Sequence, residues 1–185
     1  MSRTPPSEGD DPITVEVVRD GRLRTRLHWE WNDDHVRIRV PKGIPQRELD
    51  KHVTDIVEEV KRRRAQVRAR ADEDLEEMAR RLNRRYFGGE LQWHSIRWVS
   101  NMRKRLGSCT NGGPTDGDIR ISDRIKGWPP WVTGYVIAHE LAHRKYPNHS
   151  KAFWAYLHRY PRAERAYGFI IGVAFQLGED AEDWL

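Results

Sequence analysis

Tyr135-Val136-Ile137-Ala138-His139-Glu140-Leu141-Ala142-His143 is the stretch from which the rest of the chain is read. In a helix, residues i and i+4 stand one above the other on one face, so His139 and His143 present their imidazoles to one point. Zinc takes imidazole nitrogens readily, and its catalytic sites keep one position open. Glu140 is next to His139 in sequence and lies beside the pair, where it can take a proton from metal-bound water. Val136, Ile137 and Leu141 give this helix an apolar side to bury, which makes it a rigid mount for ligands. The competing reading is two helix histidines with no ion between them.

A third ligand has to come from outside this helix. His149 lies beyond Pro147-Asn148. Pro147 ends the first helix and lets the chain fold back. His149 then falls just before the next helix, for which Ser150 is a suitable N-cap. Three histidines leave the fourth position of one zinc ion to water. The alternative is that His149 is an exposed helix-start residue. Zinc follows from ligand type, and imidazole also suits iron, nickel and copper.

Around this segment the periodicity changes in blocks. Pro129-Pro130 opens the metal helix, expected over about 131–145. Further helices are expected over about 150–160 and from Pro161 to about Leu177. At the other end, Ile13, Val15 and Val17, then Leu27, Trp29 and Trp31, then Val36, Ile38 and Val40 alternate with polar residues. Asp20-Gly21 and Asn32-Asp33-Asp34 separate these runs as turns, which reads as three antiparallel strands ending at Pro41. From Arg47 to Phe87 the period is helical, with Leu49, Val53, Ile56, Val57 and Val60 on one face. Leu75, Met78, Ala79, Leu82 and Tyr86 repeat the pattern. Two amphipathic helices are expected, stopped by Gly88-Gly89; pattern alone leaves open whether 62–71 breaks them. Strands are expected over 93–99 and 118–122, with an Arg/Lys-rich loop, Gly107-Ser108-Cys109 and a turn at 111–114 between them. The fold class expected is α+β, an antiparallel sheet packed on helices. The expected organisation is a flexible tail over 1–12, a single domain over 13–177 and a loose acidic tail over 178–185.

Composition sets outer limits. The 185 residues include eight Trp, six Tyr and four Phe, enough bulk for a core despite a mean hydropathy of -0.86. The single cysteine, Cys109, excludes an intramolecular disulfide and a Cys-rich metal knuckle, and fits a reducing compartment. Residues 1–12 hold no apolar core of a signal peptide, and no apolar run is long enough to span a membrane, so a cytoplasmic protein is expected. A net charge of +5 permits contact with nucleic acid or acidic substrates without requiring either.

The run from His139 through His143 to Asn148-His149-Ser150 and Phe153-Trp154 resembles the YgjP-like metallopeptidases, relatives of the SprT-like proteases. The order of Gly107-Ser108-Cys109, Asp118-Ile119-Arg120-Ile121 and Tyr135-Val136-Ile137 is similar to that family as well. Asn83-Arg84-Arg85-Tyr86-Phe87-Gly88-Gly89-Glu90-Leu91 resembles the segment that opens the SprT-like core. Val36 to Pro41, with the Leu49 helix, resembles the YgjP-like N-terminal part, so the likeness runs from about Ile13 to Tyr160. It implies a zincin-like core, a zinc site of His139, His143 and His149, and Glu140 as general base. The family usually has Trp where Leu106 stands, and one cysteine cannot supply the zinc ribbon of some SprT-like proteins.

Other residues read more plainly. His158 is expected at the surface, and His28, His35, His52 and His94 have no ligand spacing. Cys109 is either a small buried residue or a group close to the metal. Tyr135 and Tyr146 are possible donors to an oxyanion. Trp128 and Trp131 are packing residues or groove lining. The basic runs at 61–70, 80–85 and 103–105 are mostly interleaved with acids, as on a solvated helix face; the alternative is a phosphate-contacting surface. The function expected is zinc-dependent hydrolysis of peptide bonds in a protein or peptide substrate, Glu140 moving the proton. The alternatives are a nucleic-acid-associated basic module and a metal-binding protein without turnover.

Overall fold

Apolar alternation and helical periodicity are assembled, in this computed structural model, over residues 12–32 and 35–185. The expected N-terminal tail falls almost wholly outside the described residues, as do Asp33 and Asp34 of the second turn. The chain gathers into two compact units divided between Ala69 and Arg70.

The first unit contains β1 (Thr14–Asp20), β2 (His28–Asn32), β3 (His35–Pro41) and the start of α1 (Gln46–Tyr86). The strand order is β1-β3-β2. β2 runs antiparallel to β3, as expected, but β1 pairs with β3 in parallel, Thr14 facing His35 and Asp20 facing Pro41. The reason lies in the connection. Residues 21–27 are too many for a tight two-residue hairpin, and they carry the chain past the place that β3 then fills. Val36, Ile38 and Val40 are fully buried and meet Leu49, Ile56 and Val60 of α1. The opposite face is charged: Arg37 donates to Glu16 at 2.7 Å and Arg39 pairs with Asp20.

Two helices were expected over 47–87, and one is found. Residues 62–71 are Arg, Ala, Gln and Val with no Gly or Pro, and nothing in them breaks a helix. Pairs one turn apart support it, Lys61 to Glu58 at 2.9 Å, Arg63 to Glu59 at 2.7 Å and Arg80 to Glu76 at 2.8 Å. The helix ends where expected. Gly88 and Gly89 take φ of 69° and 73°, a region that costs other residues strain, and the Gly89 amide returns to the Asn83 carbonyl at 3.0 Å. The buried Asn83 side chain closes the turn with Leu91, donating to its carbonyl at 2.8 Å and accepting from its amide at 3.3 Å.

The second unit runs from Arg70. It holds β4 (Ser95–Val99), β5 (Gly107–Cys109), β6 (Asp118–Ser122), α2 (Pro130–His143), α3 (Lys151–Leu157) and α4 (Ala163–Leu177). The sheet order is β4-β6-β5, with β4 parallel and β5 antiparallel to β6. Gly107-Ser108-Cys109, assigned to no element from sequence, is therefore an edge strand. α2 packs against β5, β6, α3 and α4. Every residue of α2 from Val132 to Ala142 is buried. Trp128 and Trp131 pack on Phe169 at ring distances of 5.4 and 5.8 Å, the packing role rather than a groove.

The expected loose tail over 178–185 is instead folded. Residues Ala181–Trp184 form a 3-10 turn, and Trp184 is 1% exposed. Its indole donates to Glu179 at 2.8 Å, and its carbonyl accepts from the Leu106 amide at 2.8 Å. One large aromatic side chain outweighs the acidic composition around it. We expect Trp184→Ala to cost about 3–5 kcal/mol in urea unfolding, the usual range for emptying a buried aromatic site. An unchanged unfolding midpoint would show that this turn is not part of the folded core.

Candidate active site

Pro130 begins α2, where its missing N–H costs no hydrogen bond. The helix then carries His139, 0% exposed, and Glu140, 3% exposed, into the core. It ends at His143, which is half-buried, and Pro147 follows. The chain turns back, and Ser150 caps α3 by accepting from the Phe153 amide at 3.3 Å, as its position suggested. This return places His149 over the end of α2.

The three Nε2 atoms converge. His143 lies 3.2 Å from His139, and His149 lies 3.0 Å from His139 and 3.1 Å from His143. Nδ1 of His143 donates to the Tyr146 carbonyl at 3.1 Å, which leaves its Nε2 with a lone pair aimed at the cluster. Burial, first, holds all three imidazoles below their ordinary proton affinity; the neighbouring histidines add to this at His139 and His143. Neutral imidazole is the form that binds metal. Lone pairs this close repel unless a cation lies between them. Zn–N bonds of about 2.0–2.1 Å in a tetrahedron set ligand nitrogens roughly 3.3 Å apart. The donor set therefore fits a zinc ion.

Phe153 of α3 braces the cluster, its ring 4.9, 4.6 and 4.8 Å from those of His139, His143 and His149. The same turn of chain thus supplies the cap, the third histidine and the brace. Beside His143, Arg144 ties down the segment between β5 and β6. It donates to Thr110 at 3.1 Å, to Asn111 at 2.8 Å and to both carboxylate oxygens of Asp116 at 3.0 Å. Arg144, first, and the Gly112 amide pull the Asp116 carboxyl down to about 2. Asn111 in turn donates to the His143 carbonyl at 3.2 Å.

Glu140 receives no hydrogen bond from any described residue. Burial pushes its carboxyl up to about 8, opposed by the positive charge of Arg105. Gly107 of β5 is its wall: a Cβ there would stand 2.4 Å from Oε1 of Glu140. A side chain there would displace that carboxyl, a contact that sequence reading missed because it assigned Gly107 to no element. Cys109 is outside the histidine cluster, and burial pushes its thiol up to about 11, a protonated, inert state. Tyr135 is buried in the core, and Tyr146 packs edge-on against Tyr156 at 5.4 Å. His158 is exposed, and His35 and His52 pair with Glu16 and Glu48 at 3.2 and 3.7 Å.

Residues 68–166, more than half of the chain, match the YgjP-like metallopeptidase domain. The chain belongs to the YgjP-like metallopeptidase family, and its α+β fold carries the His139/His143 pair on the helix that this family implies. Strands β1 to β3 lie outside the match. One solved structure, the metallopeptidase zymogen of Pyrococcus abyssi abylysin, is similar at 19% identity and a TM-score of 0.45, over 57% of this chain and 96% of that one. Comparison with curated proteins returns no match.

Gly107→Ala should act on Glu140 and spare the histidines. The expected result is a loss of about 1–3 kcal/mol from overpacking, with zinc stoichiometry retained. Thermal melts and metal content of the variant check this; a stability equal to wild type would remove Gly107 as the wall of the carboxyl.

Proposed function

We propose that this protein is a zinc-dependent metallopeptidase that hydrolyses peptide bonds in protein or peptide substrates. His139, His143 and His149 hold one zinc ion, and Glu140 is the general base. The observation that carries this reading is the convergence of three imidazole Nε2 atoms within 3.0–3.2 Å, on and beside the helix that buries Glu140. Family membership supports it.

Zinc on three histidines supplies a Lewis acid that acidifies water and polarises a carbonyl. The chain's own residues do the rest. Glu140 accepts a proton from the attacking water, whose oxygen bonds to the carbonyl carbon. It then returns the proton to the amide nitrogen as the C–N bond breaks. A carboxyl with no competing donor among the described residues is free for both transfers. Phe153 and the hydrogen bond from His143 to Tyr146 hold the imidazoles in place.

No helix among the described residues is long and apolar enough to cross a membrane. We place the protein in the cytoplasm on the strength of its single, unpaired cysteine. The basic residues of α1 that pair with acids one turn away support a solvated face there rather than a phosphate track.

Metal content and cleavage test this together. Wild type should carry about one zinc per chain, and His143→Ala should lose it. Glu140→Gln should keep the zinc and lose peptide cleavage by roughly 10²-fold or more. Chelation should lower the melting temperature of wild type and leave that of His143→Ala unmoved. Protein that takes up no zinc sinks the reading. Zinc bound without cleavage of any peptide, whatever stands at position 140, leaves a metal-binding protein without turnover.

A further inference from the structure

The segment between β4 and β5 is fixed at three points. Ser122 Oγ donates to the Met102 carbonyl at 3.3 Å, and the Arg124 guanidinium donates to the Arg103 carbonyl. Leu106, fully buried, donates its amide to Trp184 and accepts from the Ser122 amide, each at 2.8 Å. Arg105 sits within this fixed segment and is itself exposed. Two residues on, Gly107 abuts the Glu140 carboxyl. Arg105 forms no hydrogen bond or ion pair with any described residue. Its five N–H donors are uncommitted among the described residues.

Arg105 stands two residues before the glycine that walls the Glu140 carboxyl, and no hydrogen bond joins the arginine to that carboxyl. The planar guanidinium matches a carboxylate in a two-point contact that an ammonium does not reproduce.

We infer that Arg105 is a substrate-binding residue that receives a carboxylate of the peptide, beside the bond that Glu140 serves. The inference rests on the peptidase reading above and adds the class of substrate: peptides with an acidic side chain or a free α-carboxylate near the scissile bond. Because the arginine is exposed, the contact is salt-sensitive and modest, and it sorts substrates rather than dominating affinity.

The test uses zinc-loaded protein and binding as well as cleavage. The probes are blocked Ala-Ala-Glu-Ala-Ala, its Gln twin, and penta-alanine as free acid and as amide. Affinities are measured in the Glu140→Gln background by titration calorimetry at low salt, with Arg, Gln or Glu at position 105 and zinc content checked in each. The Glu peptide should bind roughly tenfold tighter than its Gln twin, about 1.4 kcal/mol. That ratio should fall to about one in Arg105→Gln and invert in Arg105→Glu. A preference confined to the penta-alanine acid over its amide, and lost in Arg105→Gln, would identify the carboxylate as the peptide C-terminus. Equal binding within both pairs, or a preference that survives Arg105→Gln, overturns the inference. So does an Arg105→Gln variant, active at Glu140, that slows cleavage of all four peptides equally, since that marks a charge acting on the reaction itself. Failure of the peptidase reading looks different: no wild-type cleavage, with the Arg105-dependent preference intact.

Discussion

The second unit depends on burying one helix with polar groups inside it. α2 is enclosed by β5, β6, α3 and α4, and it brings His139 and Glu140 into a core of Val132, Val136, Ile137 and Leu141. Buried polar groups ordinarily have partners, and those without one are expensive to keep. Nδ1 of His139 has none among the described residues. Nε2 is the atom of that ring which meets His143 and His149, so a metal held by the cluster would leave Nδ1 unanswered.

The surroundings of α2 answer to the same constraint. The return of the chain after Pro147 brings His149, the Ser150 cap and Phe153 in five residues of sequence, so one turn completes and braces the histidine cluster. On the other side, Arg144 spends its donors on Thr110, Asn111 and Asp116 and fixes the segment beyond the edge strand. Third histidine, cap and clamp sit close to one another in sequence.

Much of this was legible because it is local. The i, i+4 spacing of His139 and His143, the cap at Ser150 and the glycine stop at Gly88-Gly89 each act within a few residues. What was missed acts at a distance or through one residue. The direction of β1 is set by the length of 21–27, a matter of pairing rather than alternation. The unbroken α1 rests on the absence of a breaker among its charges, which periodicity does not register. Gly107 has no evident task until Glu140 is beside it, and Trp184 anchors a segment whose acids suggested a loose tail.

The backbone bond from Leu106 to Trp184 ties the Ala181–Trp184 turn to the residue before Gly107. The wall of the Glu140 carboxyl and a distant aromatic anchor are therefore joined through one residue, Leu106. Groups joined in this way do not contribute independently to stability. Substitutions at Gly107 and Trp184 will thus be epistatic: the tolerance of either position depends on what occupies the other. Sequence drift at this turn is constrained by a carboxyl it never touches.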